Sequence, residues 1–342
     1  MKKRINYIDI AKGIAIISIV LGHTVGYSNH LIPFRNFFYS FHVALFFMIS
    51  GYLFHTNKNL RTFTKEKFIR IMIPYFIWCI LFLIPYILFS NGIKNTLNIN
   101  AISNIKELII NTLYGNGNDF HLKQNSSLWF LPALFTMEFI FYFIIKLVNK
   151  NPKLEIPTLL LILLTNIITS TKLTFIFPWG LNTTLNISIY FYIGYLLNKY
   201  KIINRLKWYT IPICLTLGVI GFILNTQKIT YMNYGYGNIY YAFLSGLSFS
   251  ILILYISKLL NRNNILESIG QNTMGVLIFH KIVLLLFQSK LGIISKLLIN
   301  SNLLTELLLA IICLICSIFI SLIITKIIKK ICPFMIGEKK EV

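Results

Sequence analysis

The sequence predicts an all-α, polytopic membrane helix bundle of about ten transmembrane helices, both termini cytoplasmic, forming a single domain over residues 1–342. Three observations predict it. Hydrophobic residues make up 56% of the chain and charged residues 12%, where a soluble domain carries roughly 25% charged residues. Ten continuous apolar stretches divide the chain, each near the roughly 20 residues that a spanning helix needs. Lys and Arg then alternate between the connections: 22 of the 32 fall on one side, 8 on the other, and Lys12 and Lys281 lie inside stretches. Bases gather on the cytoplasmic side of membrane proteins, so this alternation sets the orientation. Continuous runs exclude a strand barrel, which needs alternation. The net charge of +22 would otherwise suggest nucleic acid, but such binders need a soluble basic face; none is expected here.

Each stretch has its own justification. The first, 8–27, follows Lys2, Lys3 and Arg4 and runs on without a small-residue cleavage site, so it reads as a span and not as a cleaved leader. A short outer connection leads to the second, 34–54. Lys58, Arg61, Lys65, Lys67 and Arg70 then mark the inner side before the third, 69–90. A long Asn-rich outer segment, with Gly115-Asn116-Gly117-Asn118-Asp119 near its end, precedes the fourth, 127–148. Lys146, Lys150 and Lys153 bring the chain inside for the fifth, 156–173, which stops ahead of Pro178 and Trp179. Inner Lys199, Lys201, Arg205 and Lys207 join the sixth, 182–198, to the seventh, 208–225. The eighth, 237–258, ends inside at Lys258 and Arg262. The ninth, 272–290, and tenth, 303–328, flank outer Lys290 and Lys296, and a basic tail follows. The connections are too short for a nucleotide-binding domain and carry no P-loop, which argues against an ATP-driven pump. Cys313 and Cys316 share a helix face, but no further Cys or His completes a zinc site, so no metal is expected.

Ionisable groups inside spans are costly and mark function by default. The first span carries Asp9, Lys12 and His23. Eleven residues bring Lys12 and His23 within roughly 20° of one face, about 16 Å apart in height, and Asp9 stands one turn from Lys12. Taken alone, Lys12 also reads as a lysine snorkelling to the inner surface, with Asp9 as cap or counter-ion. His42 lies eight residues into the second span, so the two imidazoles are expected at similar depth on neighbouring helices, a pairing suited to proton transfer. Glu138 falls mid-span, as structural partner or site residue. Trp129 reads as an interfacial anchor or a sugar-stacking platform, Lys281 as a snorkeller.

With these residues in view, the chain resembles the acyltransferase 3 family of membrane O-acyltransferases, most closely its fucose 4-O-acetylase-like branch. Asp9-Ile10-Ala11-Lys12-Gly13 with His23 is similar to the family's basic residue, ten residues, histidine motif. Phe41-His42 through Gly51-Tyr52-Leu53 is similar to its second span. Lys67-Phe68-Ile69-Arg70 resembles its cytoplasmic Arg-x-x-Arg, with lysine first, which keeps charge and loses bidentate geometry. Leu128-Trp129-Phe130-Leu131-Pro132 resembles the start of the fourth span, and Ile269-Gly270-Gln271-Asn272-Thr273 with His280 the family's Gly-x-x-Ser to His pattern, with threonine for serine.

The resemblance implies acyl transfer, by family habit acetyl, from cytoplasmic acetyl-CoA to a hydroxyl of a cell-envelope glycan or lipid-linked sugar, in a bacterial inner membrane. A sugar hydroxyl is a weak nucleophile and needs a base, for which His23 is the first candidate. His42 would orient His23, receive the proton or hold the acceptor. Lys12, held by Asp9, would supply positive charge at the thioester or the donor phosphates. Lys67 and Arg70 would bind the phosphates of coenzyme A, although they also read as ordinary positive-inside residues. His280 would line the cavity. No permanently bound cofactor is expected. The competing reading is a transporter or flippase of lipid-linked saccharides, whose buried charges bind cargo; a saccharide polymerase is a third.

Overall fold

The computed structural model describes residues 4–25, 30–88, 105–116, 122, 125–172, 175–231, 235–288 and 302–338. Among these, the chain is helical throughout apart from connections and one isolated antiparallel bridge, Thr230–Gly235. Most of the Asn-rich segment before the fourth stretch, with Asp119 and His121, lies outside the described residues, as do Lys290, Lys296, Lys339 and Lys340.

The helices are α1 (Asn6–Thr24), α2 (Ile32–Tyr39), α3 (His42–Tyr52), α4 (Leu60–Lys67), α5 (Ile73–Leu88), α6 (Ile105–Tyr114), α7 (Phe130–Lys150) and α8 (Glu155–Lys172). They continue with α9 (Leu181–Lys199), α10 (Ile202–Arg205), α11 (Thr210–Leu224), α12 (Ile239–Leu260), α13 (Asn264–Gln271), α14 (Thr273–Gln288) and α15 (Leu303–Ile331). Every apolar stretch of the sequence is therefore helical over most of its described residues. Among the described residues, six helical segments are long and apolar enough to cross a membrane, or seven if the bent pair α13–α14 is one span. The chain is an all-α, multi-pass membrane protein. Three of the ten stretches fall short of that measure for visible reasons. Helices α5 and α11 have only 16 and 15 residues, and α9 carries Asn182, Thr183, Thr184, Asn186 and Ser188 in its first two turns.

Helix α1 is the axis, packed by α2, α3, α12, α13, α14 and α15. Apolar helices gain nothing from the hydrophobic effect against lipid tails, so close backbone approach has to hold them together. Gly13 and Gly270 provide it between α1 and α13: the backbone at Leu266 occupies the space a side chain on Gly13 would need, and Asp9 O does so for Gly270. Gly51 and Gly194 do the same between α3 and α9. Helix α13 is capped by Asn263, which accepts from Leu266 N at 3.0 Å, while Glu267 accepts from Asn263 N at 3.0 Å. At its other end Asn272 Nδ2 donates to Ser268 O at 2.6 Å, and the chain turns by 83° into α14. This bend brings His280 toward the far end of α1.

Two interruptions matter for the site. The second apolar stretch breaks at Ser40 and Phe41, where Ser40 Oγ donates to Phe37 O at 2.7 Å and Phe41 leaves helical geometry (φ −140°). The third stretch begins with a π turn, Phe68–Met72, between α4 and α5.

Candidate active site

Lys12, Ile16, Ile19 and His23 recur at helical spacing on α1 and form one stripe. At its lower end the Lys12 Nζ donates to Asp9 Oδ1 at 3.2 Å, and Asp9 is buried. Above this pair lies a mostly apolar cavity of about 140 Å³, lined by Lys12, Ile16, Ile19, Phe46, Leu131 and Leu277 among others.

A second cavity, of about 210 Å³, lies at the other end of the stripe. His23, Tyr39, His42, Trp129, Lys228 and Lys281 face it, together with Ser126 and Ser127. The His23 ring is 6.0 Å from Tyr39 and 5.4 Å from His280, centroid to centroid. Tyr39 also meets His42, edge to face at 4.9 Å, so it stands between the two histidines expected from the sequence. Tyr39 Oη lies 3.3 Å from His23 Nδ1. Its ring can approach because residue 22 is glycine: a Cβ there would be 2.8 Å from the Tyr39 ring.

Backbone carbonyls fix the tautomers of the other two histidines. A carbonyl can only accept, so His42 Nδ1 carries the proton it donates to Phe38 O at 2.6 Å. The break at Ser40 and Phe41 permits this contact, since His42 opens α3 and reaches back to α2. His42 Nε2 is left as the basic atom. Likewise His280 Nδ1 donates to Val276 O at 2.8 Å, with Ser127 Oγ 3.5 Å from its Nε2. His42 and His280 are both buried. Asn125 ties the serine turn to α14: its side chain accepts from Ser127 N at 3.1 Å and donates to Ile278 O at 2.7 Å. Lys281 donates to Ser126 Oγ. It lines the cavity, and the expectation that it snorkels to the surface is corrected: α14 turns it toward Ser126.

Lys67 and Arg70 part company. Lys67 Nζ is 2.7 Å from Glu138 Oε1, between the faces of Phe54 and Phe63, whereas Arg70 is exposed. The cause is local. Three residues cover about 300° in an α-helix but less in the wider π turn that begins at Phe68, so Arg70 rotates away. Glu138 thus has a partner for one oxygen, and its Oε2 is buried without one. Trp129 packs beside Phe130 at 6.1 Å and lines the histidine cavity.

Tyr39, Ser126, Ser127 and Lys228 were not singled out from the sequence. Tyr39 lies three residues before His42. The serines and Lys228 carry no local signal, because what recruits them is the fold of the connections before α7 and α12. Among the described residues no group of three His, Cys, Asp or Glu side chains is arranged to hold a metal.

The family model described as an acyltransferase domain, acyltransferase 3, matches residues 5–326. The chain is 34% identical over 83 residues to nodulation protein NolL of Mesorhizobium japonicum, covering 21% of this chain and 22% of that one. It is 37% identical over 83 residues to nodulation protein NolL of Sinorhizobium fredii, covering 21% and 23%. The match therefore spans about a fifth of each relative's length. No solved structure matches significantly. A family match running from the start of α1 into the last helix takes in both cavities, and the chain, a multi-pass membrane protein, belongs to the acyltransferase 3 family.

Proposed function

We propose that this enzyme is an O-acetyltransferase of a bacterial inner membrane, moving an acetyl group from cytoplasmic acetyl-CoA to a hydroxyl of an envelope or exported glycan. The observation that carries the proposal is the α1 stripe. One helix presents the Lys12–Asp9 pair at one end and His23 at the other, with an apolar cavity along the face between them. That layout suits a donor whose charged part stays at the Lys12 end while its slender acyl-bearing arm reaches toward the base.

In this reading His23 takes the proton of the acceptor hydroxyl as its oxygen attacks the thioester carbonyl. The C–S bond breaks, the acetyl group becomes an ester of the acceptor, and the coenzyme A thiolate recovers a proton from the histidine. Tyr39 holds His23 in orientation. His42 Nε2, free to accept, is the second station for the proton, and Lys12 offsets negative charge on the donor. Arg70, exposed, is available to coenzyme A phosphates as it stands; Lys67 would have to exchange Glu138 for them.

The test is a deletion strain complemented with wild type or His23→Ala, with ester-linked acetyl on envelope glycans read by mass spectrometry. Wild type restores the ester and His23→Ala lowers it by about 100-fold or more. A fully active His23→Ala, or a wild type that restores none, overturns the proposal. Intact exported glycan lacking only acetyl distinguishes acylation from transport.

A further inference from the structure

The histidine cavity is cationic in a way that base catalysis does not use. Lys228, on the connection between α11 and α12, and Lys281, on α14, both line it. Lys228 Nζ sits 4.3 Å from the centre of the Tyr39 ring, and Lys281 donates to the neutral Ser126 hydroxyl. Arg35 lies one turn before Tyr39 on α2, near enough to Lys228 to act on its charge, and its Nε is buried without a hydrogen-bond partner. Among the described residues none of these three cations forms an ion pair, whereas Lys12 and Lys67 each hold a carboxylate. Burial, and then the charge of Arg35, push the Lys228 ammonium down to about 8. Two or three like charges beside one partly enclosed cavity are costly unless an anion enters.

We propose that the acceptor carries an oxyanion, a phosphate or a carboxylate, which binds between Lys228 and Lys281 and so presents a neighbouring hydroxyl to His23. The inference rests on the acceptor half of the function proposed above. It gives the cavity a specificity that a neutral sugar would not exploit: the anion fixes the position of the ring, and the base reaches only hydroxyls near it. Lys228 and Lys281 are positioning residues for the acceptor in this scheme, and coenzyme A, which enters at the Lys12 end, does not depend on them.

Binding rather than turnover tests this, on the full-length protein in detergent, by equilibrium dialysis of three radiolabelled probes: glucose 1-phosphate, glucuronate and methyl glucoside. At least one anionic probe is expected to bind ten times more tightly than methyl glucoside. Lys228→Gln and Lys281→Gln are each expected to weaken that probe by ten-fold, while Lys228→Arg restores it and acetyl-CoA binding is unchanged. Preference for glucose 1-phosphate supports a phosphate-linked acceptor, and preference for glucuronate an acidic sugar. Equal binding of all three probes, no binding of either anion by wild type, or an unaltered affinity in Lys228→Gln overturns the proposal. Lys228 lies in a connection, so its variants remain informative if Lys281→Gln fails to elute as a single species. His23→Ala keeps anion binding in every case, so loss of acetyl transfer and loss of the anion site are read separately.

Discussion

At the scale of single residues, Tyr39 is where sequence and structure differ most usefully. It has no titratable role to attract notice, yet it touches both histidines and lies under Lys228. Its hydroxyl, 3.3 Å from His23 Nδ1, is a neutral hydrogen bond of about 1 kcal/mol. Tyr39→Phe is therefore expected to lower kcat about 5- to 10-fold with KM for acetyl-CoA unchanged, measured by initial rates on purified enzyme. A change confined to KM would argue that Tyr39 shapes the pocket and does not orient the base. His23, His42, Lys12 and Asp9 were legible because ionisable residues stand out in an apolar stretch and the 3.6 period says which of them align. The Lys67–Glu138 pair was not legible. Each partner was conspicuous alone, but 71 residues and a π turn separate them, and no local pattern encodes which distant carboxylate a lysine will find.

At the scale of elements, the helices follow the apolar stretches to within a few residues, because in lipid a run of apolar side chains has few alternatives to an internally bonded helix. The breaks inside stretches carry less signal. Nothing in Tyr39-Ser40-Phe41 is a strong breaker, and tertiary packing decides that α2 stops there. The α13–α14 bend is more readable, since Gly270 to Thr273 interrupts an apolar pattern. Its consequence depends on the Gly13–Gly270 crossing, where α1 and α13 meet backbone to backbone. A methyl at residue 270 has to push α13 away from Asp9, and overpacking of this kind costs about 1–3 kcal/mol. Because α13 leads through the bend to His280, Gly270→Ala is expected to lower both the melting temperature in detergent and ester formation. An enzyme with unchanged stability and activity would mean that the crossing does not set the position of α14.

At the scale of the whole molecule, the exposed surface is itself apolar. Only 28% of the most apolar window of Leu303–Ile331 and 17% of that of Pro152–Ser170 is buried in the bundle, and residues such as Leu160, Leu164, Ile315 and Phe319 point outward. Lipid is the environment these faces fit. Which way the bundle stands in that lipid decides where the acceptor is met, since the histidine cavity and the Lys12–Asp9 pair lie at opposite ends of α1. Base counting puts Lys153 inside and the connection holding Lys228 outside. Single cysteines at Lys153 and Thr226, both exposed, test this in a background with the five natural cysteines replaced. A membrane-impermeant maleimide is expected to label Thr226→Cys in intact cells and Lys153→Cys only in inverted vesicles. The reverse pattern would turn the cationic cavity toward the cytoplasm and make the acceptor a cytoplasmic precursor. Labelling of both from one side would mean an even number of crossings between them. The expected pattern has a chemical consequence: the acetyl group travels along the Lys12–His23 stripe within the protein, from an inward-facing donor to an acceptor held on the outer side.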